Sequence, residues 1–325
     1  MPDSSIPTNE EKGGKSFIGK LAGAFSASSK DREVDEKAFF EELLKTVASV
    51  PAGRETLKEL SSTGCTFTID PSTTSAGGYF CPDENKIVLN TASGYKDFSA
   101  PFVHEARHAI QYHNAPVCSH HLVVSDCLTH LRAIEADAVA HESAFIHEIR
   151  DVRPDIYEER SYMPMLHAYS DTFEATKDKT KAMRASFESW YGYEYYQRYY
   201  DNHHGNYICR AAEYGVESND GSFFKDRLTD ETLDEICSFQ GKPYVDKAFL
   251  KSPAAFSVPV EDKARISEAL DSYAQAVSGV ISDRSVNRMY VRLPDKTVLP
   301  PSLPPERKEN KAVITTLLNK KRFGR

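Results

Sequence analysis

Two histidines four residues apart, with a glutamate directly after the first, restrict what this chain can fold around: His104-Glu105-Ala106-Arg107-His108. With 11 histidines in 325 residues, chance supplies the pattern about 0.03 times per chain of this composition, so the segment is informative. On a helix, residues four apart share one face, and both imidazoles can reach a single ion. Glu105 lies beside them, offset by one position, which puts a carboxylate near that ion without making it a ligand. The ion that suits such a pair is zinc, a Lewis acid that lowers the pKa of water towards neutrality. Glu105 is then placed to act as the general base. Ser99 as N-cap and Pro101 in the first turn predict a helix over 99–113, with Phe102, Ala106, Ala109 and Ile110 on its buried side.

A catalytic zinc needs a third protein ligand and one open position. A histidine six places after His108 would complete one common pattern, but that residue is Asn114, and His113 falls one short. A second helix predicted over 124–150 offers more. At 3.6 residues per turn, Leu128, Leu131, Glu135, Ala138, Glu142, Phe145, Ile146 and Ile149 fall on one side. Glu135 and Glu142 therefore interrupt an apolar stripe, and a buried carboxylate costs several kcal/mol unless it is paired. A metal ion accounts for Glu135. Glu142, two turns on, reads as an outer acceptor for a ligand imidazole or as a structural ion-pair member. A plain ion pair of Glu135 with Arg132 is the competing reading, as are two ordinary histidines without metal. The nearby alanines let the two helices lie close.

These residues together resemble the gluzincin branch of the zincin metallopeptidases, in which an HExxH helix is followed by a Glu on a second helix. Glu135-Ala136-Asp137-Ala138-Val139-Ala140 is similar to the Glu-Ala-x-x-x-Ala stretch of several bacterial members. Gly77-Gly78-Tyr79-Phe80 and Lys86-Ile87-Val88-Leu89-Asn90 resemble the hairpin that precedes the HExxH helix. The closest resemblance is to an uncharacterised bacterial family of metallopeptidase domains, and it spans about residues 65–150. It implies zinc held by His104, His108 and Glu135, Glu105 as the catalytic base, and a protein or peptide substrate. No counterpart of the oxyanion-stabilising Tyr or His of gluzincins is legible.

The rest of the chain sets the frame. Hydrophobic content of 40%, with 17 Phe and 17 Tyr, is that of a folded protein able to bury a sizeable core. A net charge of −8 gives no general attraction to nucleic acid. No apolar run is long enough for a membrane span, and no secretory signal is legible at the N-terminus. Six cysteines without a CxxC pair suit free thiols in a reducing, cytoplasmic setting. Residues 1–34 read as a disordered tail in which Phe17, Ile18, Leu21 and Phe25 are spaced like a short surface helix. Residues 35–285 read as the domain, with a helical C-terminal subdomain. Residues 286–325 read as a Pro-rich tail with a basic end, by default solvated, alternatively a docking arm, a nucleic-acid patch or an export signal.

Strands are predicted at 65–69, 78–81 and 86–90, and further helices at 155–176, 180–201, 229–238 and 260–279. The fold expected is α+β: a mostly helical, zincin-like domain with a small antiparallel sheet before the HExxH helix. Cys118-Ser119-His120-His121 with Cys127 and His130 reads as a loop, or as a second zinc site of no common spacing. The aromatic run Trp190 to Tyr200 reads as core plus a wet rim, or as a source of a phenol donor to an oxyanion; His203 and His204 are further candidates for that role. Two other classes stay open: a non-catalytic zincin-like binding module and a helical interaction protein.

Overall fold

The computed structural model describes residues 30–71, 77–277 and 289–301. The apolar segment through Phe17, Ile18, Leu21 and Phe25, together with the basic C-terminal end, lies outside them.

Helix α1 (Lys30–Ala48) turns Phe40, Leu44 and Val47 inward and stops ahead of Pro51. The ring of that proline pushes Val50 into an extended conformation, φ −121° and ψ 157°. Pro51 then opens helix α2 (Pro51–Leu60), where its missing N–H costs nothing. The chain turns at Gly64, at φ +67°, a backbone region that favours glycine.

Strands β1 (Thr66–Ile69), β2 (Gly78–Cys81) and β3 (Lys86–Leu89) follow, in the order β1-β3-β2. β2 and β3 form the expected antiparallel hairpin, turning at Pro82 to Asn85. β1 instead pairs with β3 in parallel, Phe67 beside Ile87. The expectation of a wholly antiparallel sheet is corrected: the sheet is mixed. The cause lies in β3, whose Ile87, Val88 and Leu89 are all buried. Such a strand is central, and β1 occupies the side that β2 leaves free.

Helix α3 (Ser99–Asn114) packs on β2 and β3 and, on its other side, along helix α4 (Val124–Ile149). Its start differs from the sequence reading. Ser99 is the first helical residue, and the Asp97 carboxylate accepts its N–H at 2.8 Å. Helix α4 is buried nearly all round, not along one stripe, because α2, α3 and the later helices surround it. It is the axis of the molecule.

The helix expected over 155–176 is two: α5 (Pro154–Arg160) and α6 (Pro164–Thr176). Pro164 holds Met163 extended and breaks the run. The helix expected over 180–201 also divides, at Gly192 and the extended Tyr193, into α7 (Lys179–Gly192) and α8 (Glu194–Glu217). Helices α9 (Asp230–Ile236), α10 (Lys247–Leu250), α11 (Pro253–Phe256) and α12 (Val260–Ala276) follow, with a two-stranded ladder, β4 (Ser238–Phe239) and β5 (Lys242–Pro243), after α9. The fold is α+β and mostly helical, as expected. Among the described residues no helix is long and apolar enough to cross a membrane.

The segment expected to be a tail from 286 onwards is corrected over 289–299. Strand β6 (Val258–Pro259) pairs in parallel with β7 (Val291–Arg292), and β7 pairs antiparallel with β8 (Val298–Leu299). Met289 and Val291 are buried in a second apolar cluster with Ile208, Phe224, Ile266 and Tyr273. Arg292 also pairs with Asp201 of α8. The prolines of this stretch bound short strands; they do not exclude it from the core.

Candidate metal centre

Helix α3 presents His104 and His108 on the face turned to α4, and α4 presents Glu135 from the other side. The two Nε2 atoms lie 3.2 Å apart. Glu135 Oε2 lies 3.6 Å from His104 Nε2 and 3.7 Å from His108 Nε2. Zinc bonds of about 2.0–2.2 Å at tetrahedral angles set ligand-to-ligand edges of roughly 3.3–3.6 Å. The observed edges lie within about 0.1 Å of that range.

The opposite ring nitrogens fix which atoms face inward. Gln111 Nε2 donates to the Ile134 carbonyl at 3.0 Å and to Asp137 Oδ2 at 2.7 Å. Both partners are acceptors, so Gln111 Oε1 is left to accept from His108 Nδ1, 3.0 Å away. Glu142 Oε2 lies 3.3 Å from His104 Nδ1, and Arg160 pairs with the other Glu142 oxygen at 3.6 Å. With both Nδ1 atoms engaged in donating, two Nε2 lone pairs and a carboxylate oxygen converge on one point. The donor set suits a borderline divalent cation such as zinc.

Electrostatics point the same way. Burial disfavours a charged imidazole at His104, but its hydrogen bonds to Glu135 and Glu142 outweigh burial and hold its pKa well above the ordinary value. Burial would raise Glu135, yet the neighbouring His108 and His104 hold it well below the carboxylate range. A pocket with three carboxylates facing two imidazoles demands positive charge.

Glu105 shares this pocket. Burial raises its pKa, with the charges of His104 and His108 opposing. A Cβ added at Gly78 would lie 3.5 Å from Glu105 Cγ and 2.8 Å from the Val88 carbonyl, so β2 runs directly beside this carboxylate and only glycine fits there.

Like Gln111 and Arg160, one more residue of this centre was not singled out from the sequence. Tyr200, from α8, donates its hydroxyl to Glu135 Oε2 at 2.8 Å. Burial pushes its phenol well above the usual value, so it stays a donor. The aromatic run thus divides its roles: Trp190 is buried core, Tyr195 and Tyr199 are exposed, and Tyr200 reaches the centre. His204 is buried beside Tyr200 with its Nδ1 unpartnered among the described residues, while His203 packs against Tyr199 with the rings tilted at 49°. Arg132 does not pair with Glu135; it binds Asp201 at 2.7 Å and the carbonyls of Ala255 and Ser257.

A buried cluster below the centre braces α3 against α4. Arg107, 1% exposed, donates to Asp137 at 2.5 Å, to Glu59 at 3.2 Å, and to the Ile236 and Ser238 carbonyls. Tyr244 donates to the other Asp137 oxygen at 2.6 Å.

Of the second sequence constellation, Cys118, His120 and His121 come together, whereas Cys127 is buried core and His130 bonds to Ser119.

No curated protein and no solved structure matches the chain. Residues 21–245 match a family described as a putative metallopeptidase family, DUF6782, and that span includes the two helices, the hairpin and Tyr200. The chain belongs to that metallopeptidase family.

Proposed function

We propose that this protein is a zinc-dependent peptidase in which His104, His108 and Glu135 hold the metal and Glu105 is the general base. The observation that carries this reading is the converging triangle, with edges of 3.2, 3.6 and 3.7 Å and both Nδ1 atoms tied back to Glu142 and Gln111. Zinc in such a set polarises a carbonyl and lowers the pKa of water towards neutrality.

The protein's own groups do the rest. Glu105 accepts the proton of the attacking water; its raised proton affinity suits a base working near neutral pH. It then returns that proton to the departing amine. Glu142 and Arg160 hold the His104 ring, Gln111 holds the His108 ring, and Tyr200 holds Glu135. Among the described strands β2 is an edge, next to Glu105, so an extended peptide can add to it as a further strand with its carbonyl near the base.

The test compares the native protein with Glu105→Gln on a denatured-protein substrate, with metal content measured on both. Hydrolysis by the native protein, lost in Glu105→Gln while zinc is kept, supports the reading. Zinc in both with hydrolysis in neither would make the site a non-catalytic binding module. Loss of zinc in Glu105→Gln would mean that Glu105 is a ligand.

A further inference from the structure

The turn that links the two metal-centre helices carries a second group of ligand-type side chains. Cys118, His120 and His121 each bring one donor atom within 4.8 Å of the others. Cys118 Sγ lies 3.1 Å from His120 Nε2, and the other nitrogen of that ring, Nδ1, lies 3.1 Å from the Tyr207 hydroxyl. Sγ also lies 3.5 Å from Nδ1, so the sulfur sits alongside the ring within reach of both nitrogens, and the Tyr207 contact holds the ring in place.

This turn is built, not loose. The His120 carbonyl accepts from Phe224 N at 2.9 Å, and the His121 carbonyl accepts from both Lys225 N and Asp226 N at 2.7 Å. Phe223 packs against both imidazoles, with ring centroids 4.5 and 5.5 Å away. Ser119 Oγ is tied to His130 at 2.9 Å. The rings are therefore held before any ligand arrives. Cys118 stands apart from the other five cysteines as the exposed one.

We infer that Cys118, His120 and His121 form a second metal site, which takes a borderline-soft divalent cation, zinc, separate from the His104 centre. One thiolate and two imidazoles are a donor set for zinc and not for magnesium or calcium, which prefer oxygen. Bonds of about 2.3 Å to sulfur and 2.0–2.1 Å to nitrogen set a sulfur-to-nitrogen edge of roughly 3.5 Å at a tetrahedral ion. Rotation of the exposed Cys118 side chain off the His120 ring brings Sγ to that edge. Ser222, whose Oγ lies 3.4 Å from His121 Nε2, and solvent at Cys118 are the sources of a fourth ligand. The ion would lock the connection between α3 and α4 and so hold the two halves of the His104 centre in register.

Cobalt substitution tests this site by itself, because only a sulfur ligand gives a thiolate-to-cobalt charge-transfer band in the near ultraviolet and the His104 centre has none. The metal-free full chain is titrated with cobalt, alongside Cys118→Ser, His121→Ala and His104→Ala, with circular dichroism to establish that each is folded. Expected are about two cobalt per chain and a charge-transfer band in the native protein. The band should persist in His104→Ala and vanish in Cys118→Ser, each of which drops to about one cobalt. In His121→Ala the affinity read from the band should fall by more than about 100-fold, beyond the usual cost of losing an outer partner. Absence of the band in the native protein overturns the inference. So does a band of unchanged affinity in His121→Ala, which would mean that the exposed thiol binds metal alone or between two chains.

Discussion

Replacing Arg107 with Met tests whether the two helices of the candidate centre are held in place by one buried ion pair. Arg107 is 1% exposed and Asp137 is fully buried, so neither charge has water as an alternative partner. Breaking such a pair typically costs about 3–5 kcal/mol, because a charge is left uncompensated. Two features moderate the loss: Tyr244 and Gln111 still donate to Asp137, and His141 still reaches the Ser238 carbonyl at 3.2 Å. The Ile236 carbonyl loses the donor that the structure gives it. We therefore expect the lower part of that range, about 3–4 kcal/mol. Against a total stability of about 5–15 kcal/mol the variant should be visibly weakened. At a urea slope of about 2–3 kcal/mol/M its midpoint should fall by roughly 1–2 M. Trp190 is the single tryptophan and is buried, so its fluorescence reads the transition cleanly. Adding Asp137→Asn removes the stranded charge and should recover about 1 kcal/mol or more. A midpoint unchanged in Arg107→Met, or an Arg107→Met/Asp137→Asn protein weaker than Arg107→Met, would refute the reasoning.

Other outcomes follow from single contacts. Tyr200→Phe deletes the hydrogen bond to Glu135 and should weaken zinc binding about 10- to 100-fold; an unchanged affinity in competition with a chelator would remove Tyr200 from the centre. Burial pushes His130 down to about 4, and His141 and His204 to about 3. These histidines are neutral when folded and take up protons on unfolding, so stability is full above the unfolded value of about 6.5 and declines as pH falls towards 3–4. Denaturant midpoints measured across that window should fall with pH, and a flat profile would contradict the burial of these rings. A chain ending after residue 285 lacks β7 and should be less stable than one ending at Pro301 by about 3–6 kcal/mol, the burial of Met289 and Val291; equal midpoints would return this segment to the tail.

That His104, His108 and Glu135 come together was legible because these residues obey helical spacing. His104 and His108 recur at one turn, and Glu135 and Glu142 stand out as carboxylates in an apolar run. Gln111 was not named, although it lies three residues after His108 on the same face, because only the amide's other hydrogen bonds reveal what it does. Tyr200 was not legible. It lies 65 residues from its partner Glu135, in a run of aromatics that look alike until the breaks at Gly192 and Tyr193 set their directions. The parallel pairing of β1 depends on which strand becomes central, a tertiary matter. The strands at 291–292 and 298–299 are too short to show any period. Pro164 was a visible break signal, and a helix drawn through it was an error of weighting periodicity over backbone sterics.

The central claim is tested most directly by zinc K-edge X-ray absorption on Cys118→Ser protein, in which no thiolate from the 118–121 turn contributes. The account predicts about one zinc per chain, four ligands at roughly 2.0–2.2 Å, imidazole scattering from two rings, and no sulfur. His104→Ala should lose that metal. A Cys118→Ser protein that binds no zinc, or whose zinc shows no imidazole and survives His104→Ala unchanged, would contradict it.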